Sequence, residues 1–105
     1  MSKIAILNDR FRKTFSGGRV VTTAAFAHLP PSTKAKALEA VRTFTAFSLD
    51  NDPYREHDFG TFEIDGERFM FKIEYYNKSM EAGSEDPANE EITTRVLTIM
   101  LASDY

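Results

Sequence analysis

The sequence contains no cysteine among its 105 residues. This absence excludes disulfide frameworks, thiolate metal sites, cysteine nucleophiles and thiol redox chemistry, and it fits a reducing, cytoplasmic setting. No apolar stretch reaches the roughly 18 residues that a membrane span needs. No apolar run follows a basic start either, so we expect neither a transmembrane helix nor a signal peptide. Internal repeats and low-complexity tracts are also absent.

What the chain does contain is material for one hydrophobic core. Apolar residues make up 42% of it, and nine phenylalanines and four tyrosines supply bulky side chains. A disordered chain would lack these residues. We therefore expect residues 1–105 to form a single folded domain.

Charge is divided unevenly along the chain. Residues 1–47 carry eight basic and two acidic residues, a net of +6, whereas residues 48–105 carry five basic and fourteen acidic residues, a net of −9. Such asymmetry can steer a charged partner, although basic helices packed beside acidic loops would cancel it. Two acidic segments, 50–58 and 81–91, are predicted to be loops, with one helical turn at Asp86-Pro87.

Two helices are predicted from apolar residues that recur at spacings of three and four. The first covers residues 2–15 and ends at Ser16-Gly17-Gly18, because glycine readily adopts the left-handed conformation that closes a helix. The second follows Pro30-Pro31, with Ser32 or Thr33 as its cap, and runs to about residue 44. Residues 24–29 are ambiguous and can form one further helical turn.

Asp65-Gly66 lies between two segments of alternating apolar residues. This is the strongest short-range signal of a β-hairpin, because both turn positions need positive φ. A two-residue loop fixes the register and sets Gly60 opposite Phe71, with the aromatic ring over the glycine. Continued outward, the same register sets His57 opposite Glu74.

Two more strands complete a predicted four-stranded sheet. Residues 19–23 are short and β-branched, and residues 93–103 are apolar on both faces, which is typical of a central strand. The element order α-β-α-β-β-β predicts an α+β fold, with two helices packed on one face of a mostly antiparallel sheet. The other face is apolar for a surface in water, so either something covers it or it is an interface. Its predicted interface residues are Phe59, Met70, Val96 and Met100.

Several motifs resemble those of a bacterial family, domain-of-unknown-function 3768, which is often carried on plasmids and other mobile elements. The matching segments are NDPY at 51–54, HDFG at 57–60, KIEYY at 72–76 and TRVLTIMLA at 94–102. The resemblance covers essentially the whole chain, with Glu74 where the family more often shows aspartate. It implies a one-domain bacterial protein and carries no activity.

His57 lies in the most suggestive cluster of ionisable residues. Asp50, Asp52 and Asp58 are its neighbours in sequence, and the hairpin register adds Glu74. A histidine beside a carboxylate can act as a general base, and with several carboxylates it can hold a divalent cation. The simpler interpretation is structural: the acids cap turns around Pro53, and a His57–Glu74 pair locks the register. We favour it because no nucleophile or glycine-rich phosphate loop accompanies the cluster.

A metal or cofactor is not predicted, since His57 and Asp58 should point to opposite faces of the sheet. The charged residues Lys72, Glu74 and Arg95 can form a polar site or a strand-to-strand ion network, of which we favour the network. A negative overall field argues against nucleic-acid binding by the basic patch at the first helix. This patch comprises Arg10, Arg12, Lys13 and Arg19. The predicted binding residues are Asp50, Asp52, Tyr54, Lys72, Glu81, Glu85, Asp86, Glu90, Glu91 and Arg95.

Three functions remain open from the sequence. The first is a non-catalytic protein-interaction domain that binds a protein partner or forms a homodimer through the open sheet face and the acidic loops. The second is an inhibitor of a bacterial defence enzyme, of the anti-CRISPR or anti-restriction type, since an acidic surface can fill a basic phosphate-binding groove. The third is a small hydrolase or metal-dependent enzyme that uses His57 and nearby carboxylates.

Overall fold

The computed structural model describes residues 1–105. It contains three α-helices, four strands and a C-terminal 3₁₀ helix. In chain order these are α1 (Lys3–Thr14), β1 (Gly18–Thr22), α2 (Ala24–Ala27), α3 (Pro31–Thr43), β2 (Phe59–Ile64), β3 (Glu67–Tyr76), β4 (Thr94–Leu101) and the 3₁₀ helix (Ala102–Asp104). The α+β class is therefore confirmed, with one helix more than the two predicted. None of the helices is both long enough and apolar enough to pass through a bilayer.

The helix ends differ from the prediction in detail. Ser2 caps α1, since its Oγ accepts the Ala5 N–H at 3.1 Å. At the other end Phe15 takes the left-handed conformation first, with φ of 56°, and its N–H reaches the Phe11 carbonyl at 2.7 Å; Gly17 follows with φ of 100°. Helix α3 begins at Pro31 without a side-chain cap. Proline is tolerated there because the first helical N–H has no partner within the helix.

The sheet has the strand order β1-β4-β3-β2. Strand β4 is central, as predicted, but it pairs with β1 in parallel, so the sheet is mixed. The hairpin register is confirmed, and both turn residues have positive φ, 53° at Asp65 and 80° at Gly66. Gly60 is opposite Phe71, whose Cε2 would lie 2.5 Å from an added Cβ. Glycine is required there by contact with the ring.

The core lies between the helices and one face of the sheet. Its nine buried residues are Phe11, Phe26, Ala37, Val41, Phe69, Phe71, Ile73, Leu97 and Ile99. Four of these come from α1, α2 and α3 and five from β3 and β4, so the short α2 contributes to the core although its residues were ambiguous in the sequence. The rings of Phe26 and Phe69 meet edge to face with their centroids 5.9 Å apart, a geometry that aromatic pairs prefer.

The opposite face of the sheet is largely covered, which is one of the two alternatives that the sequence left open. Met70, Val96 and Met100 are buried within the single chain, and Phe59 is half-buried. The 3₁₀ helix contacts β3, and the Tyr105 ring centroid lies 5.7 Å from the Lys72 Nζ on this face. The predicted interface thus lacks the exposed apolar surface on which it depended.

The connection between β3 and β4 is irregular but tied down. The helical turn predicted at Asp86-Pro87 does not form. Instead, residues 86–89 form one hydrogen-bonded turn, in which the Asn89 N–H donates to the Asp86 carbonyl at 2.9 Å and the Asp86 carboxylate accepts the Ala88 N–H at 3.1 Å. The Ser84 and Thr93 hydroxyls lie 2.6 Å apart and join the two ends of the acidic segment.

Candidate functional site

The segment between α3 and β2 places His57 by means of a buried carboxylate. Asp52 is only 3% exposed, and its oxygens accept the Glu56 N–H at 2.9 Å and the His57 N–H at 3.2 Å. Arg55 and His57 both have positive φ, 57° and 58°. Such backbone is costly for residues with side chains and persists only where the surroundings impose it. The Asp52 carboxylate supplies that constraint here.

The predicted pair between His57 and Glu74 does not exist. Strand β2 begins at Phe59, so the register stops short of His57. The left-handed His57 backbone leaves the sheet, and the ring turns to α1, where Nδ1 lies 2.9 Å and 3.1 Å from the two carboxylate oxygens of Asp9. Because a carboxylate can only accept, Nδ1 carries the proton of this bond. Glu74 instead pairs with Lys72 at 3.3 Å.

The ring of His57 is held on its other sides as well. It stacks on Phe47 with the planes 1° apart and the centroids at 4.1 Å. Nε2 lies 3.8 Å from the Asp52 Oδ2, which is beyond hydrogen-bond distance, and it makes no hydrogen bond within the chain. One ring nitrogen is therefore fixed by a carboxylate, and the other is free.

Behind this pair lies Arg12, which the sequence had assigned to a basic surface patch. Its side chain is 1% exposed; Nη1 donates to the Val41 carbonyl at 2.9 Å and the Phe44 carbonyl at 3.1 Å, and Nη2 donates to the Asp9 Oδ1 at 2.5 Å. The guanidinium also lies 5.1 Å from the Phe47 ring centroid. The basic patch thus loses Arg12 to the interior, and Asp9 is shared between Arg12 and His57.

His57 opens onto a cleft of about 620 Å³. The lining residues are Met1, Ser2, Phe47, Ser48, Leu49, Asp52, Tyr54, Arg55 and His57. Of the seven large apolar or aromatic side chains exposed in the molecule, three belong to this cleft: Met1 at 81%, Leu49 at 63% and Tyr54 at 83%. We call this site, with its nine lining residues, the His57 cleft.

A second polar network supports the same loop from the sheet. The Asn8 Nδ2 donates to the Glu56 carbonyl at 3.0 Å and to the Tyr75 hydroxyl at 2.8 Å, and that hydroxyl donates to Glu56 Oε1 at 2.7 Å. Burial, and secondarily the bond to Glu56, raises the pKa of Tyr75 well above its usual range. Tyr75 is therefore a permanent donor in this network.

Arg95 belongs to this network and not to a surface ion network with Lys72 and Glu74. Its Nε donates to the Asn8 Oδ1 at 2.8 Å, and its Nη2 donates to the Pro87 carbonyl. Burial lowers the pKa of Arg95 below its usual range. In the extended β4, positions 95 and 97 share the core face, so Arg95 points inward and anchors the acidic loop to α1.

The other predicted site residues are spread over the surface. Asp58 forms no ion pair with His57. Its carbonyl accepts the Ile73 N–H at 2.8 Å, and burial raises the pKa of its carboxyl group. Glu90 pairs with Arg10. The remaining acidic binding candidates, Asp50, Glu81, Glu85, Asp86 and Glu91, are exposed and form no ion pair. No group of three or more histidine or acidic side chains is arranged to hold a metal ion.

Sequence reasoning missed the residues that hold the site together, namely Asn8, Asp9, Arg12, Phe47 and Glu56. Asp9 and His57 are 48 positions apart, and no spacing rule connects them. The only available signal was a general one: polar residues on α1 beside an apolar stripe can be buried if partners from another element meet them.

Comparison with known proteins adds a family and nothing more specific. Searches of curated proteins and of solved structures gave no match. A family model described as "Protein of unknown function (DUF3768)" matches residues 22–104. The matched part includes Asp52 and His57, whereas Asp9 and Arg12 precede it. Because the match covers most of the chain, the protein belongs to this family of unknown function.

Proposed function

We propose that the protein is a non-catalytic interaction domain that binds a segment of a protein partner in the His57 cleft. The observation that carries this proposal is the concentration of exposed apolar side chains there: Met1, Leu49 and Tyr54 surround one concave site. Exposed apolar patches of this kind mark interaction sites on otherwise polar surfaces. Tyrosine and methionine are also enriched in the cores of protein interfaces.

The cleft is also pre-formed, which lowers the cost of binding. Its lining includes the stacked rings of His57 and Phe47 and the turn that the buried Asp52 holds. A partner would therefore meet a fixed surface and would not have to order this turn. Tyr54 and Leu49 would lose water on binding, since both are mostly exposed.

The test is capture of a partner from a lysate of cells that carry the gene, with wild-type protein and with Tyr54→Ala. Tyr105→Ala is the matched control, because Tyr105 is 78% exposed but does not line the cleft. We expect Tyr54→Ala to lose a captured protein that Tyr105→Ala retains. Equal capture by both variants would rule out the cleft as the binding site.

A small acid–base enzyme is the second candidate, and the His57–Asp9 pair favours it. The carboxylate holds Nδ1 at 2.9 Å, Nε2 makes no hydrogen bond within the chain, and His57 lines the cleft. This is the arrangement of a general base whose tautomer is fixed by a carboxylate. The chain would then activate a water or a substrate hydroxyl through Nε2.

This second candidate is tested by hydrolysis of activated ester and phosphoester substrates. Any turnover should disappear in His57→Gln and fall in Asp9→Asn, with His28→Gln as the control, because His28 is exposed and distant in sequence. Turnover that survives His57→Gln would exclude this mechanism.

An inhibitor of a defence enzyme is a third candidate, supported by the acidic connection between β3 and β4. Glu81, Glu85, Asp86 and Glu91 are exposed and unpaired, and the Ser84–Thr93 and Arg95–Pro87 bonds hold this connection in place. An ordered acidic surface suits a basic phosphate-binding groove. Reversing the charge of these four residues should abolish capture of such an enzyme, and unchanged capture would remove this candidate.

A further inference from the structure

We infer that the His57 cleft recognises an anionic oxygen group, either a carboxylate or a phosphate, and that Arg55 binds this group. In the bound segment the anionic group lies beside an apolar side chain. This inference rests on the proposed binding function. It concerns the chemistry of the ligand, which the exposed apolar rim alone does not define.

The first argument is the hydrogen-bond inventory of the cleft. The Arg55 side chain is exposed and takes part in no hydrogen bond or ion pair within the chain, so its guanidinium donors are free. The Tyr54 hydroxyl is also without a partner, and the Ser48 hydroxyl accepts the Asn51 N–H at 3.4 Å, which leaves its own hydrogen to donate. The His57 Nε2 is the one acceptor among these unsatisfied groups. The others can all donate, so a ligand that supplies acceptors satisfies them.

The second argument is that the one carboxylate that lines the cleft, Asp52, and the one beneath His57, Asp9, are already occupied. Asp52 is buried and accepts two backbone N–H groups, those of Glu56 and His57. Asp9 accepts from Arg12 and from His57. Their charges are thus engaged within the chain. Among the ionic side chains that line the cleft, Arg55 has no partner within the chain.

The third argument is the strained backbone that carries the donors. Arg55 and His57 are two of only five residues other than glycine with positive φ. Their backbone conformation is held by the Asp52 carboxylate, and both side chains line the same cleft. Strain of this kind accumulates where a side chain must be presented in a fixed direction. Arginine presented in this way binds carboxylate and phosphate oxygens in a bidentate manner.

The apolar half of the cleft defines the other part of the ligand. Phe47, Leu49 and Tyr54 line it together with Met1, so an apolar or aromatic group beside the anion would be buried with it. The volume of about 620 Å³ lies within the range of pockets for such ligands. A segment with an acidic residue or phosphorylated side chain next to a large apolar residue meets both requirements.

The experiment is a titration of the ¹⁵N-labelled protein, followed by backbone amide shifts. The probes are phenyl phosphate, benzoate, and benzylamine as the cationic counterpart. We expect the two anions to shift amides of residues 47–57 in a saturable way and benzylamine to shift none of them. The anion that binds more tightly shows whether the ligand group is a phosphate or a carboxylate.

Arg55→Gln should weaken anion binding about tenfold, the value of one strong charge-assisted bond. Arg68→Gln is the matched control, because Arg68 is exposed on β3 and does not line the cleft, and it should bind as wild type does. Equal affinity in the Arg55 and Arg68 variants, or equal shifts with benzylamine, would overturn the inference. Loss of partner capture in Tyr54→Ala combined with normal capture in Arg55→Gln would refute the anion and leave the binding function intact.

Discussion

Replacement of Arg12 by methionine should destabilise the fold severely. Methionine keeps the unbranched shape of the side chain but removes the donors and the charge. Arg12 is 1% exposed, and its guanidinium binds the Val41 and Phe44 carbonyls at the end of α3 as well as the Asp9 carboxylate. Loss of these bonds leaves two buried carbonyls without donors and Asp9 with His57 as its only side-chain partner.

The magnitude follows from those contacts. Each bond to a charged donor contributes about 1.5–3 kcal/mol, and removal of one partner from a buried ion pair costs about 3–5 kcal/mol. We therefore expect Arg12→Met to lower the free energy of unfolding by about 3–5 kcal/mol. A domain has about 5–15 kcal/mol in total, so this single substitution should remove a large share of the stability.

Urea unfolding followed by circular dichroism measures this loss. Lys13→Met is the matched control, since Lys13 is the next residue along α1 and is exposed; it should change the free energy of unfolding by less than about 0.5 kcal/mol. Asp9→Asn in the Arg12→Met background should restore part of the loss, because it removes the uncompensated charge, with a coupling of about 0.5–3 kcal/mol. A loss below about 1 kcal/mol for Arg12→Met, or one equal to that of Lys13→Met, would refute the reasoning.

Three further predictions concern the sheet and its buried acids. Gly60→Ala would place a methyl group 2.5 Å from the Phe71 ring, so it should cost about 1–3 kcal/mol, whereas Gly83→Ala, whose Cβ meets nothing closer than 3.8 Å, should leave the thermal midpoint unchanged. Burial raises the pKa of the Asp58 carboxyl group above 3.8. The folded state therefore binds the carboxyl proton more tightly than the unfolded state does, and the free energy of unfolding falls as pH rises through the pKa of the folded state. Asp58→Asn should be more stable than wild type near neutral pH, and this difference should be lost at a pH of about 3. A variant that is no more stable at neutral pH would contradict this. Tyr75 stays protonated in the fold because burial and its bond to Glu56 raise its pKa above 10. The free energy of unfolding should therefore fall as the pH rises above 10. The phenolate absorbance of Tyr75 should appear only on unfolding, and it should be absent in Tyr75→Phe.

The sequence by itself determined the features that depend on local chemistry. Asp65-Gly66 specified the hairpin because both residues accept positive φ. Apolar residues alternate along the two flanking strands, and only one register of these strands buries the aromatic face. Apolar spacing defined α1 and α3 to within one or two residues. An apolar run on both faces identified β4 as the central strand, because such a strand must be covered on both sides.

Only the tertiary structure decided where the polar residues go. His57 was expected opposite Glu74 because the register was extended beyond the point where the strand ends; positive φ at Arg55 and His57, imposed by Asp52, turns the ring to Asp9 instead. Helical spacing placed Arg12 on the solvent side of α1. Its burial depends on carbonyl groups at the end of a different helix, 29 and 32 residues away.

The same limit applies to surfaces. The sequence showed that the second face of the sheet is apolar. Whether that face was free or covered depended on the path of the last few residues. Met70 and Met100 on this face are buried. The His57 cleft arises from residues of the α3–β2 connection and the start of α1, which meet only in the folded chain. Periodicity and turn chemistry act over a few residues, whereas a buried charge or a cleft is defined by groups distant in sequence, and this is why the fold outline was predictable and the candidate site was not.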